Sequence, residues 1–126
     1  MEIIINNFSR SRIDSKILRV LARKISKKKN IVSVSFVTKG KIKALNTKYR
    51  KKNSPTDVLS FNMGEGRLLG DVIICPEVAK RNSLASGVAF KFEIARLLAH
   101  GILHLLGYKH GKSMFDLEDS IAGEVC

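Results

Sequence analysis

A chain of 126 residues is long enough for one domain with a single buried core, and its two widely separated cysteines, Cys75 and Cys126, exclude a disulfide-stapled framework and suit a reducing cytoplasm. The net charge of +12 is one-sided: residues 1–52 hold 16 Lys and Arg against Glu2 and Asp14, a balance of +14, whereas residues 53–126 hold 7 against 9, a balance of −2. Such a field attracts a phosphate backbone through counterion release, and no amphipathic helix with aromatic anchors speaks for a membrane surface instead. Met1 to Asn7 contain an acid and too short an apolar run for a secretory leader. The longest apolar stretch, residues 94–106, is broken by Arg96, His100 and His104 and falls short of the ~20 residues that span a bilayer. A soluble, cytoplasmic protein is expected.

Residues 2–7 read as an isoleucine-rich first strand. Asp14 caps a helix running to about Lys27, with Ile17, Leu18, Leu21, Ala22 and Ile25 on one face and Arg19, Arg23 and Lys24 on the other. Residues 31–38 alternate as a second strand, and Lys39-Gly40 is expected to turn the chain. A short helix over residues 41–49 follows, with Ile42, Leu45 and Tyr49 inward, and then a polar loop over residues 50–56. Residues 58–61 and 71–75 form the third and fourth strands, joined through a glycine-bearing hairpin at residues 64–66. Pro76 opens the next helix, where its missing amide is harmless. A mostly buried helix spans residues 89–106, and a last one over residues 114–125 turns Leu117, Ile121 and Val125 inward. The expected fold is a single α/β (α+β) layered domain over residues 1–126, a four-stranded sheet with about five packed helices.

All three histidines lie in one eleven-residue stretch, His100-Gly-Ile-Leu-His104-Leu-Leu-Gly107-Tyr-Lys-His110. His100 and His104, four apart, share a helix face, and Gly107 lets the chain leave the helix so that His110 returns to the same point. Three imidazoles suit zinc first and other late first-row metals next, and leave a fourth position open for water or substrate. A structural zinc site would call for a fourth protein ligand, usually a thiolate, and none is spaced for it. The spacing also matches that of metzincin peptidases, whose general base is a glutamate after the first histidine. Here that position is Gly101, which takes no proton.

The same stretch resembles the signature of the YbeY family, bacterial zinc-dependent endoribonucleases of ribosomal RNA maturation. Tyr49-Arg50 followed by residues 54–61, Ser-Pro-Thr-Asp-Val-Leu-Ser-Phe, resembles that family's second motif, and residues 69–74, Leu-Gly-Asp-Val-Ile-Ile, its third. The resemblance implies a mixed sheet, one Zn2+ per chain on His100, His104 and His110, and RNA, ribosomal RNA or the ribosome, as partner. An open metal position can polarise a phosphoryl oxygen or lower the pKa of bound water from about 15.7 towards ~7. Arg50, which matches the arginine of the second motif, is the candidate for stabilising the extra charge of a phosphorane-like transition state. Asp71 could orient a ligand imidazole or accept a proton, or could only bond backbone amides. Glu93, seven residues before His100, lies ~10 Å along the axis and out of reach of the ion.

Two positions depart from the family's habit: Lys109 stands where an aspartate is common and Arg96 where a histidine is common, and both would bring positive charge towards the metal. The alternatives are an RNA-binding ribosome-assembly factor with a structural metal, and a metallohydrolase of another phosphoester or of an amide.

Overall fold

The computed structural model describes residues 1–126. Its elements run β1 (Glu2–Asn7), α1 (Ser15–Ile25), β2 (Ile31–Phe36), α2 (Lys39–Arg50), β3 (Val58–Glu65), β4 (Leu68–Ile74), α3 (Pro76–Ser86), α4 (Phe90–Leu105) and α5 (Lys112–Val125). The sheet order is β1-β2-β4-β3; the first three strands are parallel and β3 runs antiparallel on the edge. This is the expected four-stranded mixed sheet with five helices.

One face of the sheet carries the main core. Ile3, Val32, Val34, Phe36, Val72 and Ile74 meet Leu18, Leu21 and Ala22 of α1, the apolar side of α4 and Ala122 of α5. The other face is covered only beside β3 and β4, where Leu59, Phe61 and Ile73 pack with Ile42 and Leu45 of α2 and with Val78 of α3. As expected, Asp14 caps α1, accepting from the Ile17 amide.

The hairpin is tighter and its strands longer than expected. Glu65 pairs with Leu68 across a two-residue turn, in which Gly66 alone has positive φ, +59°, as the first central position of a type II′ turn demands. The ladder therefore continues beyond Phe61 and begins before Asp71.

Lys39 and Gly40 do not turn the chain but form the first turn of α2, because Thr38 caps the helix with its hydroxyl on the Lys41 amide. The inward stripe of α2 is Ile42 and Asn46, four residues apart, and Tyr49 stays exposed with its ring edge against Phe61. Asn46 satisfies its burial by donating from Nδ2 to the Ser54 carbonyl, which ties the following loop to the helix.

Helix α5 likewise turns a different stripe inward. Met114, Glu118 and Ala122 are buried, with Leu117, Ile121 and Val125 only half-buried beside them. A carboxylate thus occupies the centre of a core-facing helix stripe, and burial requires that it be paired.

Candidate metal centre

Helix α4 is the most buried helix, with ten of its sixteen residues inaccessible. His100 and His104 lie on its narrow polar stripe, one turn apart. The helix ends at Leu105 with Leu106 as its cap; Gly107 takes φ +95°, and the Gly107 and Tyr108 amides donate to the His104 and Leu103 carbonyls. That turn brings His110, three residues on, back over the end of the helix.

The three rings converge. Centroids are 4.7 Å apart for His100 and His104, 5.0 Å for His100 and His110, and 4.1 Å for His104 and His110. One ring nitrogen from each lies within 4.8 Å of the others. A tetrahedral zinc at ~2.0–2.1 Å from each nitrogen sets its ligands ~3.4 Å apart, so small side-chain rotations close this trio on one ion. Burial and then the neighbouring charges of His100, His110 and Arg50 hold the His104 imidazole below its ordinary pKa, which keeps its lone pair free at neutral pH. Phe115 of α5 stacks at 6.3 Å on the outer side of His100 and is an apolar wall.

The histidines open into a cavity of about 330 Å³ whose other walls include Asn46, Arg50, Lys52, Asp57 and Ser60. Arg50 is the last helical residue of α2 rather than part of a loop, and its Nη2 donates to the Ser60 carbonyl at 3.2 Å, with the guanidinium 6.0 Å from the Phe61 ring centroid. A larger cleft of about 510 Å³ between the N-termini of α1 and α4 is mostly apolar and contains none of the histidines.

Asp71 does not join this group. Its neighbours Gly70 and Val72 face Leu105 and Gly101 of the histidine-bearing helix, so strand alternation turns Asp71 to the opposite side of the sheet. The acidic residue that does line the cavity is Asp57, within the Ser-Pro-Thr-Asp stretch; its oxygens accept from Thr56 Oγ1 and Asn82 Nδ2, both at 3.4 Å.

Arg96 also differs from expectation. Its guanidinium binds Glu93 in a fork, Nε to Oε1 at 2.9 Å and Nη2 to Oε2 at 2.8 Å, and gives Nη1 to Glu118 at 3.0 Å. These bonds, Glu93 first, raise its pKa and direct its charge into two carboxylates rather than at the metal. Lys109 is exposed on the turn. Glu118, fully buried and not singled out by any motif or spacing, sends its other oxygen to His100 Nδ1 at 2.7 Å.

Known proteins are similar to this chain over most of its length. The family model described as Endoribonuclease YbeY matches residues 2–125. An Endoribonuclease YbeY from a Sulfurihydrogenibium species is 41% identical over 124 residues, covering 86% of this chain and 82% of that one. One from Persephonella marina is 40% identical over 125 residues, with 86% and 82% covered, and one from Staphylococcus epidermidis is 42% identical over 120 residues, with 78% and 77% covered. The solution structure of TM1509 from Thermotoga maritima superposes with a TM-score of 0.69 at 31% identity, over 97% of this chain and 89% of that one. With the match running from the first strand to the last helix, through the histidine turn, the chain belongs to the YbeY endoribonuclease family.

Proposed function

We propose that the protein is a zinc-dependent endoribonuclease that cuts ribosomal RNA, free or in the ribosome, during its maturation in the cytoplasm. His100, His104 and His110 hold the ion, and Arg50 stabilises the transition state. The observation that carries this reading is the convergence of three imidazoles and one guanidinium on a single open cavity. Family membership supports the endoribonuclease activity. No helix is long and apolar enough to cross a membrane.

When bound, the ion supplies a Lewis acid and acidifies water at its open position. The chain's own residues do the rest. Arg50, at the rim of the cavity, binds the scissile phosphate and strengthens its hold as negative charge accumulates there. Lys52 lines the same cavity, and residues 39–52 carry seven Lys or Arg and no acid, so flanking phosphates meet a strongly basic segment beside it.

Purified protein with zinc should cut structured ribosomal RNA, and His104→Ala or Arg50→Ala should abolish cutting while RNA binding persists. Equal cutting by both variants would assign the activity to a contaminant. A 2′,3′-cyclic phosphate at the product end would make the RNA 2′-hydroxyl the nucleophile, and a 5′-phosphate with a 3′-hydroxyl would make it water.

A further inference from the structure

Two carboxylates, Glu93 and Glu118, surround one guanidinium, Arg96, in the space between α4 and α5. Glu93 and Glu118 are both buried, and Arg96 is largely covered. Glu93 takes two parallel bonds from the guanidinium, at 2.9 and 2.8 Å, and Glu118 takes a third on Oε1, which leaves its other oxygen free of Arg96. An uncompensated buried charge is strongly unfavourable. The second oxygen of a buried carboxylate also needs a partner, and its direction says where that partner stands.

That oxygen, Oε2, lies 2.7 Å from His100 Nδ1. A guanidinium has only donors, so Oε1 of Glu118 accepts from Arg96. An ionised carboxylate there takes Nδ1 as its donor, which leaves Nε2 with the lone pair that a metal ion needs. A metal ion on Nε2 would place its positive charge one ring-width from the Glu118 carboxylate, with the imidazole as the link.

We propose that Glu118 is the positioning residue of the metal centre: it fixes His100 in the Nδ1-protonated tautomer and orients Nε2 to the ion, and Arg96, itself braced by Glu93, fixes Glu118. Arg96 thus acts on the metal through a carboxylate, at one remove, and its positive charge does not oppose the ion. A buried acid on the inward stripe of α5 also explains why that helix must dock in one register against α4, with Met114 and Ala122 on either side of it.

The inference rests on the zinc reading, and the experiment separates the two. Zinc affinity is measured on the full chain by competition with a chromophoric chelator, for the wild type, Glu118→Gln and Arg96→Gln, with circular dichroism as the check on folding. Glutamine keeps the size of Glu118 but loses the charge, and with one amide oxygen it cannot accept from both Arg96 and His100. A loss of about 10- to 100-fold is expected for Glu118→Gln, and a smaller loss for Arg96→Gln. A folded Glu118→Gln protein that binds zinc as tightly as the wild type would overturn the inference and leave the zinc site standing. Should the variant fail to fold, nitrogen-15 spectra of the histidines in the zinc-loaded wild type decide: a proton on Nδ1 and metal on Nε2 of His100 is the expected pattern, and the reverse assignment refutes it. Absence of stoichiometric zinc from the wild type would bring down the metal reading, and this inference with it.

Discussion

Gly101 crosses β4 so closely at Val72 that a methyl group in place of its hydrogen would stand 2.7 Å from Val72 Cγ1 and 2.9 Å from Cγ2. Both are β-branched methyls on a strand in the sheet interior, with nowhere to move. The position next to His100 is thus a packing site against the sheet. A glutamate, the residue that makes peptidases of the same histidine spacing, would be driven into the core there.

Gly101→Ala should accordingly destabilise the protein. Alanine gains about 1 kcal/mol of helix propensity over glycine, but overpacking a filled core costs about 1–3 kcal/mol, and moving α4 off the sheet displaces both His100 and His104. Urea denaturation should show a net loss, with weaker zinc binding alongside; an unchanged midpoint would mean that the helix accommodates the methyl freely.

Asp71→Asn is expected to leave zinc affinity within about twofold of the wild type, since the side chain lies across the sheet from the histidines and a carboxylate there bonds none of them. Chelator competition measures this, and a loss of tenfold or more would show that the carboxylate reaches the ligands.

RNA binding should weaken steeply with added salt, and the Lys48, Lys51 and Lys52 cluster should account for part of that slope. For single-stranded RNA, each phosphate deprived of its lysine by alanine substitution reduces the slope of log K against log salt by about 0.7. A triple variant measured across a salt series should show a slope shallower by about 2 with folding intact; an unchanged slope would put the RNA elsewhere on the surface.

Burial pushes the Cys75 thiol up from its ordinary value, because the thiolate would be desolvated among Val37, Ile42, Leu59 and Val78 at the start of α3. The unfolded chain then loses this proton at a pH where the folded chain keeps it. Folded protein binds the extra proton, so stability falls as pH rises through and above the ordinary thiol range, and is unaffected by Cys75 well below it. A denaturation series should show this decline reduced in Cys75→Ala. An aromatic disulfide reagent should meanwhile label the exposed Cys126 in the native protein and reach Cys75 only on unfolding.

The strand alternation, the helix periods and the histidine spacing are legible in the sequence because each follows from a repeat of two or about 3.6 residues in the chain itself. Which strand lies beside which is not, since β2 pairs with β4 across an intervening helix and hairpin. Thr38 gives no sign of being a cap because no apolar residue follows it until Ile42, and the ring of Tyr49 suggests an inward position although the helix turns Asn46 there. Glu118 is hidden by its neighbours: Leu117, Ile121 and Val125 make a plausible apolar stripe, and only the partner on α4 shows that the stripe one position on is the buried one. The alternation that governs Asp71 is a period of two, but the side on which the histidines lie depends on the packing of Gly101 and Gly70 under α4 and its end.

The contact from Arg50 Nη2 to the Ser60 carbonyl has a second result, for association. Strand β3 ends the sheet on the side of the cavity, and its outward amides and carbonyls are a template on which another strand could add, which is how β proteins aggregate. A guanidinium seated on that border, with Lys51 and Lys52 next in the chain, repels a like-charged copy of this protein while leaving the same border attractive to a polyanion. One arginine thereby discourages self-association along the strand that borders the histidine cavity.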